Sequence, residues 1–326
     1  MRVVVALGGN ALLQRGQPMT AAAQQSNVRV AAQALADLAR DHQIVVAHGN
    51  GPQVGLLALQ GAAYDPAKPW PLDVLGAETE GMIGYLIEQE LMNALPKSAR
   101  CATLLSRVEV DAKDPAFATP SKPIGPVYTE DDAARASRDH GWQMVQEVSG
   151  GMRRVVPSPL PLRILGLEAI KVLLDAGQIV ICAGGGGIPV RRNAEGHMEG
   201  VEAVIDKDRT SALLALALNA DALLLLTDVA AVYEDFSGPD QHAIGATTPN
   251  ALDSLTLPAG SMGPKVAAAA AFVRASGKMA GIGQLSEARA LLEGLAGTRI
   301  LPDDQTRRPN LLNDPPPNDP LAKTAP

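Results

Sequence analysis

The chain has 326 residues, enough for about two domains of ordinary size, each with its own core. Hydrophobic residues make up 46% and charged residues 19%, which excludes a natively unfolded chain over most of its length. The formal net charge of -7 excludes nucleic acid as a bulk electrostatic partner, although a locally basic cleft can still hold a phosphate.

In chain order, the apolar run Val3-Val4-Val5-Ala6-Leu7 predicts a buried strand that runs straight into Gly8-Gly9-Asn10. Residues 20–40 carry Val28, Ala31, Leu35 and Leu38 at helical spacing. A second strand, Ile44-Val45-Val46-Ala47, then leads into His48-Gly49-Asn50-Gly51. This β–loop–α–β order begins a parallel sheet wrapped by helices. A helix is expected over 86–95 and one strand over 101–110. Residues 112–161 change texture: Pro115, Pro120, Pro123, Pro126, Pro157, Pro159 and Pro161 surround a charged helical piece at 129–139. That composition predicts a protruding subdomain or lid. A helix over 167–176 leads to the third strand, Ile179-Val180-Ile181, and to Gly184-Gly185-Gly186-Gly187.

The second half restarts near residue 200. A short strand at 203–205 precedes Asp206-Lys207-Asp208, a helix over 210–218 and a strand over 222–226 ending at Thr227-Asp228. Gly260-Ser261-Met262-Gly263-Pro264-Lys265 opens an alanine-rich helix, with Pro264 in its first turn and Lys265 at its second position. Strand, helix and strand follow at 278–282, 287–295 and 298–301. Residues 303–326 are polar and proline-rich, a composition expected to stay disordered.

Cys101 and Cys182 show neither metal-ligand spacing nor a framework of pairs, and Cys182 reads as a buried inert thiol. The apolar stretch before Gly8 is too short for a signal peptide, and no run of about 18 apolar residues occurs. A cytoplasmic protein with no membrane partner is expected.

Three times, then, a buried strand ends in a glycine loop, and none of these loops contains a lysine. Glycine there lets the backbone approach a ligand and form a cradle of N–H groups for anionic oxygen. Neither a P-loop nor a Gly-x-Gly-x-x-Gly fingerprint is present. All three loops would emerge at the carboxyl ends of strands, where α/β sheets bind ligands. The missing cations must come from elsewhere. Lys265 at a helix N-terminus opposes the helix dipole, and a bound anion is the simplest reason for it. Asp206-Lys207-Asp208 reads either as a charged cap, with Asp208 or Thr210 satisfying N–H groups, or as a lysine held between carboxylates for phosphoryl transfer.

At this point the strings Ala6-Leu7-Gly8-Gly9-Asn10-Ala11, His48-Gly49-Asn50-Gly51-Pro52-Gln53-Val54-Gly55, Ser121-Lys122-Pro123-Ile124-Gly125-Pro126, Arg153 to Pro159, Gly184 to Pro189, Val204 to Asp208 and Gly260 to Val266 resemble those of carbamate kinases. These belong to the amino acid kinase family, and the resemblance runs in order from residue 1 to about 301. Ala6 stands where other members of that family open with a lysine. The resemblance implies an α/β fold, a three-layer αβα sandwich around a mostly parallel sheet with a protruding subdomain. It also implies a carbamate-binding lobe at 1–200, including the subdomain at 112–161, and a nucleotide-binding lobe at 201–302. The lost lysine is replaced in carbamate kinases by one from the subdomain, which falls on Lys122. Lys122, Lys207 and Lys265 are then expected on the phosphates, with Asp208 orienting the lysines. Gly8, Gly9, Asn10, Gly49, Asn50, Gly51, Gly185 and Gly186 are expected around carbamate, and Thr227, Asp228, Tyr233, Met262 and Gly263 around the nucleotide.

The implied reaction is ATP plus carbamate giving ADP plus carbamoyl phosphate, with Mg²⁺ carried by the nucleotide and a homodimer as the assembly. The absence of a histidine–carboxylate dyad fits this, because the attacking oxygen is already anionic and needs no base. His48 is therefore read as orienting its loop rather than reacting. The competing readings are a related kinase with another small acid acceptor and a ligand-sensing homologue without activity. Ala6 and Lys122 favour carbamate over the first. Intact Lys122, Lys207, Asp208 and Lys265 disfavour the second.

Overall fold

Along the first strand, Val4 and Ala6 are buried against one layer of helices, while Val3, Val5 and Leu7 are buried against another. This is the pattern of a sheet covered on both faces, and it explains why the strands read as unbroken apolar runs. The computed structural model describes residues 1–9, 12–13, 17–65, 67–147, 150–236, 238, 240–255 and 262–303. The expected disorder of the C-terminal tail falls, from residue 304 onward, outside the described residues, as do Asn10, Gly260 and Ser261.

The first half runs β1 (Arg2–Leu7), α1 (Ala21–Ala39), β2 (Gln43–His48), α2 (Gly51–Tyr64), α3 (Leu72–Ala94), β3 (Cys101–Thr103), β4 (Arg107–Val110), β5 (Lys122–Tyr128), α4 (Glu130–His140), β6 (Gln143–Gln146), β7 (Met152–Val156), β8 (Pro161–Ile164), α5 (Leu167–Asp175), β9 (Ile179–Ile181), β10 (Ile188–Arg192) and β11 (Met198–Gly200). The second half runs α6 (Lys207–Ala217), β12 (Ala222–Thr227), β13 (Val232–Glu234), β14 (His242–Ile244), β15 (Ala246–Thr247), α7 (Pro249–Asp253), α8 (Met262–Ser276), β16 (Met279–Gln284), α9 (Ala288–Glu293) and β17 (Thr298–Ile300).

The main sheet has the order β15-β17-β16-β12-β1-β2-β9-β3. Its pairs are parallel except β16 with β17. One face carries Leu214, Ala215, Val266, Ala269, Phe272 and Leu174 from α6, α8 and α5. The other carries Val28, Leu35, Ile83, Ile87 and Leu291 from α1, α3 and α9. The three-layer αβα arrangement follows. Because β1 lies between β2 and β12, with Val3 opposite both Ile44 and Ala222, the two halves of the chain share one continuous sheet.

Residues 122–156 build a separate antiparallel sheet, β5-β7-β6, with α4 packed on it. α4 supports itself locally. Thr129 caps it, Glu130, Asp131 and Asp132 occupy its first turn, Arg138 and His140 its last, and Gly141 ends it in the left-handed region. The Arg154 guanidinium lies 4.1 Å from the centre of the Trp142 ring and staples α4's exit to β7. This small sheet meets the body where β5 crosses α2. A Cβ on Gly55 would lie 2.0 Å from the Gly125 Cα. Backbone cannot step aside from that contact, so Gly55→Ala is expected to cost roughly 1–3 kcal/mol by overpacking. Denaturant unfolding checks this, and an unchanged midpoint would refute the close-packed seat.

Several boundaries differ from the sequence reading. Residues 101–110 are two strands in different sheets. β3 closes the main sheet, Leu104 N–H still reaches the Ile181 carbonyl, and the chain then turns so that β4 pairs with β10. Residues 203–205 are buried but form no strand, because Val204 N–H is satisfied by the Pro157 carbonyl instead of a neighbouring strand. α6 begins at Lys207 rather than 210, and its cap is Asp206, not Asp208 or Thr210. α8 begins at Met262, which puts Lys265 at the fourth helical position rather than the second.

Candidate active site

The carboxyl ends of β1, β2, β9 and β12 all open on one side of the sheet, because these strands are parallel neighbours. They deliver Gly8-Gly9, Gly49-Asn50, the turn Gly184–Gly186 and Thr227-Asp228 to the same rim. Helix N-termini arrive there too. α2 starts at Gly51 directly after Asn50, and α6 starts at Lys207. The Gly49 backbone faces both the Lys207 side chain, 3.3 Å from the ideal Cβ position, and Gly9 N at 3.4 Å. The first turn of α8 is joined to α6 through Lys265 and Asp208. Such convergence favours an anion, since each helix start presents N–H groups and the positive end of its dipole.

Two carboxylates organise the cations. Asp208 Oδ1 accepts from Lys207 Nζ at 2.6 Å, and Asp208 Oδ2 accepts from Lys265 Nζ at 2.9 Å. All three residues are buried. Asp206 Oδ1 accepts from the N–H groups of Asp208 and Arg209 at 3.0 and 3.2 Å, while Oδ2 takes Lys122 Nζ at 2.5 Å. Three ammonium groups on two carboxylates leave one positive charge uncompensated in a largely buried place. Burial works against ionisation at Asp206 and Asp208, but the adjacent lysines overcome it and hold both carboxyls below their ordinary range. Lys207 is pushed up, because Asp208 and Asp206 outweigh its burial. Lys265 is pushed down by burial and by the charge of Lys207 beside it. Its partner in the structure is thus the Asp208 carboxylate, where its place at a helix N-terminus suggested a bound anion.

Gly8, Gly49 and Gly186 spend their N–H groups on the carbonyls of Leu226, Leu7 and Ala183, so these three provide room rather than donors. Gly186 has φ +93°, and a Cβ there would sit 2.5 Å from the Ile205 carbonyl oxygen. Only glycine lets the turn pass under residue 205, and Thr210 Oγ1 of α6 locks it by donating to the Gly186 carbonyl at 2.9 Å. Asn50 lies against Gly185 and donates to Thr79 Oγ1 at 2.8 Å. His48 is fully buried and burial lowers its pKa to about 4, so it is neutral at ordinary pH. Its Nδ1 lies 3.1 Å from the Gly49 carbonyl oxygen, in keeping with an orienting role.

Of the residues expected around the nucleotide, Thr227 lies beside Gly8, whose Cβ position is 3.5 Å from the Thr227 Cα, and its hydroxyl donates to Asp228 at 3.1 Å. Met262 and Gly263 form the start of α8. Tyr233 stands on β13 with its ring 6.1 Å from that of Phe236. Among the described residues no three of His, Cys, Asp and Glu converge to hold a metal ion.

The sequence profile of the amino acid kinase family matches residues 1–282. The carbamate kinase of Haemophilus influenzae is 55% identical over 300 residues, covering 92% of this chain and 96% of that protein. The carbamate kinase of Escherichia coli K12 is 51% identical over 298 residues, 91% of this chain and 98% of that one. The chain belongs to the amino acid kinase family, in its carbamate kinase branch. A Giardia lamblia carbamate kinase bound to AMP-PNP matches the structure with a TM-score of 0.82 at 40% identity, over 93% of this chain and 98% of that one. The same enzyme bound to citric acid matches with a TM-score of 0.86 over the same shares.

Against this family background, two supporting residues escaped the sequence reading. The Asp206 carboxylate receives the Lys122 ammonium, a contact that its place in Asp206-Lys207-Asp208 did not signal. Glu80 is buried on α3, and its two oxygens accept from Gly184 N–H at 2.8 Å and Ser106 N–H at 3.1 Å. It ties the glycine turn to the corner where the chain leaves the main sheet. The readable signal was an acid on the apolar face marked by Leu75, Ile83 and Ile87.

Proposed function

We propose that this kinase transfers a phosphoryl group reversibly between ATP and carbamate, giving ADP and carbamoyl phosphate. The observation that carries the proposal is the trio Lys122, Lys207 and Lys265 gathered on Asp206 and Asp208 at the mouth of lysine-free glycine loops. Phosphoryl transfer needs the attacking and leaving oxygens aligned and the charge on the transferring group neutralised. Lysines fixed in a buried site meet that need without reorganising during the reaction. Carbamate brings an anionic oxygen, so no general base is required, and His48, which takes up a proton only below about pH 4, is a poor one.

In this reading residues 1–200 hold carbamate through Gly9, Asn50, Gly51 and the turn at Gly185, with the subdomain at 112–161 supplying Lys122. Residues 201–302 hold the nucleotide along Thr227, Asp228, Tyr233, Met262 and Gly263. Both site carboxylates are engaged by lysines, so the divalent metal belongs to the nucleotide substrate. The family further supports a cytoplasmic homodimer that makes ATP during arginine breakdown. No helix among the described residues is long and apolar enough to cross a membrane. Beside the edge strand β3, Tyr85 and Leu105 are exposed, which suits a subunit contact.

The decisive assay is ATP formation from ADP and carbamoyl phosphate, coupled to a reporter enzyme. Turnover is expected with the wild type, and Lys122→Ala is expected to lower kcat by about 10²–10³, as for loss of one preorganised donor. A folded protein inert with carbamoyl phosphate but active with another acyl phosphate would overturn the carbamate assignment.

A further inference from the structure

Lys122 is the one of the three lysines that the body of the fold does not carry. It opens β5 in the small sheet of residues 122–156, whereas Lys207 and Lys265 sit on helices packed against the main sheet. Its ammonium must therefore be brought to the site by docking one unit onto another. Asp206 is the residue that meets it.

The two oxygens of Asp206 divide their work. Oδ1 caps α6 through the N–H groups of Asp208 and Arg209, and Oδ2 receives Lys122. Capping does not demand a charge, since asparagine and serine cap as well as aspartate. Lys122 does demand one, and the pair is mostly shielded, with side-chain exposures of 28% and 13%. An ammonium has three donors, so one bond to Asp206 leaves two for phosphoryl oxygens. The small sheet also meets this region through the Val204 N–H to Pro157 carbonyl bond, the Gly55–Gly125 contact, the apolar packing of Ile124 and Val156 on Val54, Leu72 and Val204, and the attraction between Arg154 and Glu202, but none of these places the Lys122 ammonium.

We propose that Asp206 is a positioning residue, a latch that docks the Lys122-bearing sheet onto the N-terminus of α6 and so completes the cationic site. The proposal rests on the phosphate role of Lys122, and the test separates the two. Asp206→Asn and Asp206→Ser both keep a cap on α6, so each should fold with near wild-type melting. Both should lower kcat roughly ten- to a hundredfold, as misplacement of a catalytic group does. Hydrogen exchange over residues 122–156 should speed up in both variants while the main-sheet strands stay protected. In a Lys122→Ala background, Asp206→Asn should cost no further activity, because the latch has nothing left to hold. Wild-type kcat and exchange in folded Asp206→Asn would overturn the latch. So would a loss that multiplies with that of Lys122→Ala, since Asp206 would then act elsewhere. Full activity in Lys122→Ala would instead overturn the role of Lys122, and the exchange measurement would still report whether Asp206 docks the sheet.

Discussion

Asp208→Ala is expected to lower turnover by about 10³ or more, at least as much as loss of a single lysine. The reason is geometric. One carboxylate holds Lys207 at 2.6 Å and Lys265 at 2.9 Å, so its removal frees two cations at once. It also removes the charge that lets two ammonium groups coexist in a buried place. Lys265 is already pushed down by burial and by Lys207. Without Asp208 the ammonium groups repel each other with nothing between them, and one should lose its proton more readily than in the wild type. A neutral amine stabilises no phosphoryl charge. The pH profile therefore gives a second readout. Acid restores the lost proton, so residual activity of Asp208→Ala, relative to wild type, should rise as pH is lowered from 8 toward 6. A variant within tenfold of wild type, with an unmoved profile, would remove Asp208 from its organising role. The double variant Asp208→Ala with Lys265→Ala should be far from multiplicative, since both changes disable one unit.

How much of this arrangement the sequence displayed depends on whether the physics was local. β1, β2, β9 and β12 could be read directly, because a strand buried on both faces must be a continuous apolar run. The three glycine loops followed, and with them the rim at the carboxyl ends of these strands where they gather. The corner at residues 104–106 could not be read, since it depends on pairing with β10 and on Glu80, which lies 26 residues from Ser106 and 104 from Gly184. Lys265 shows a subtler limit. Its place near a helix N-terminus suggested a bound anion, but the partner in the fold is Asp208, 57 residues away. Lys122 between prolines carried no local signal of chemistry at all. Only the resemblance to carbamate kinases picked it out, and the structure then placed its ammonium on Asp206.

Glu80 should make this protein lose stability as pH rises from about 6.5 to 8, against the usual behaviour of carboxylates. Burial raises its pKa to about 8, although the N–H groups of Ser106 and Gly184 pull the other way. Between 4.5 and about 8 the folded carboxyl keeps a proton that the unfolded one has lost. The folded state then binds more protons, so unfolding free energy falls with pH at a limiting rate of about 1.4 kcal/mol per unit. His48 acts in the opposite sense. Its folded pKa of about 4 lies below the ordinary 6.5, so it adds stability as pH rises through that interval and nothing above it. The two contributions offset each other from 4.5 to 6.5, and Glu80 alone remains beyond. Over the last 1.5 units the decline should reach about 2 kcal/mol. Glu80→Gln removes the titrating proton and keeps one acceptor for the glycine turn. Its unfolding free energy, measured by denaturant titration at several pH values, should be flatter than wild type between 6.5 and 8. Below 6.5 it should climb with pH, because the His48 contribution is then unopposed. Parallel curves for the two proteins across the whole range would mean that Glu80 is ionised in the fold, and that the turn at Gly184 rests on a carboxylate.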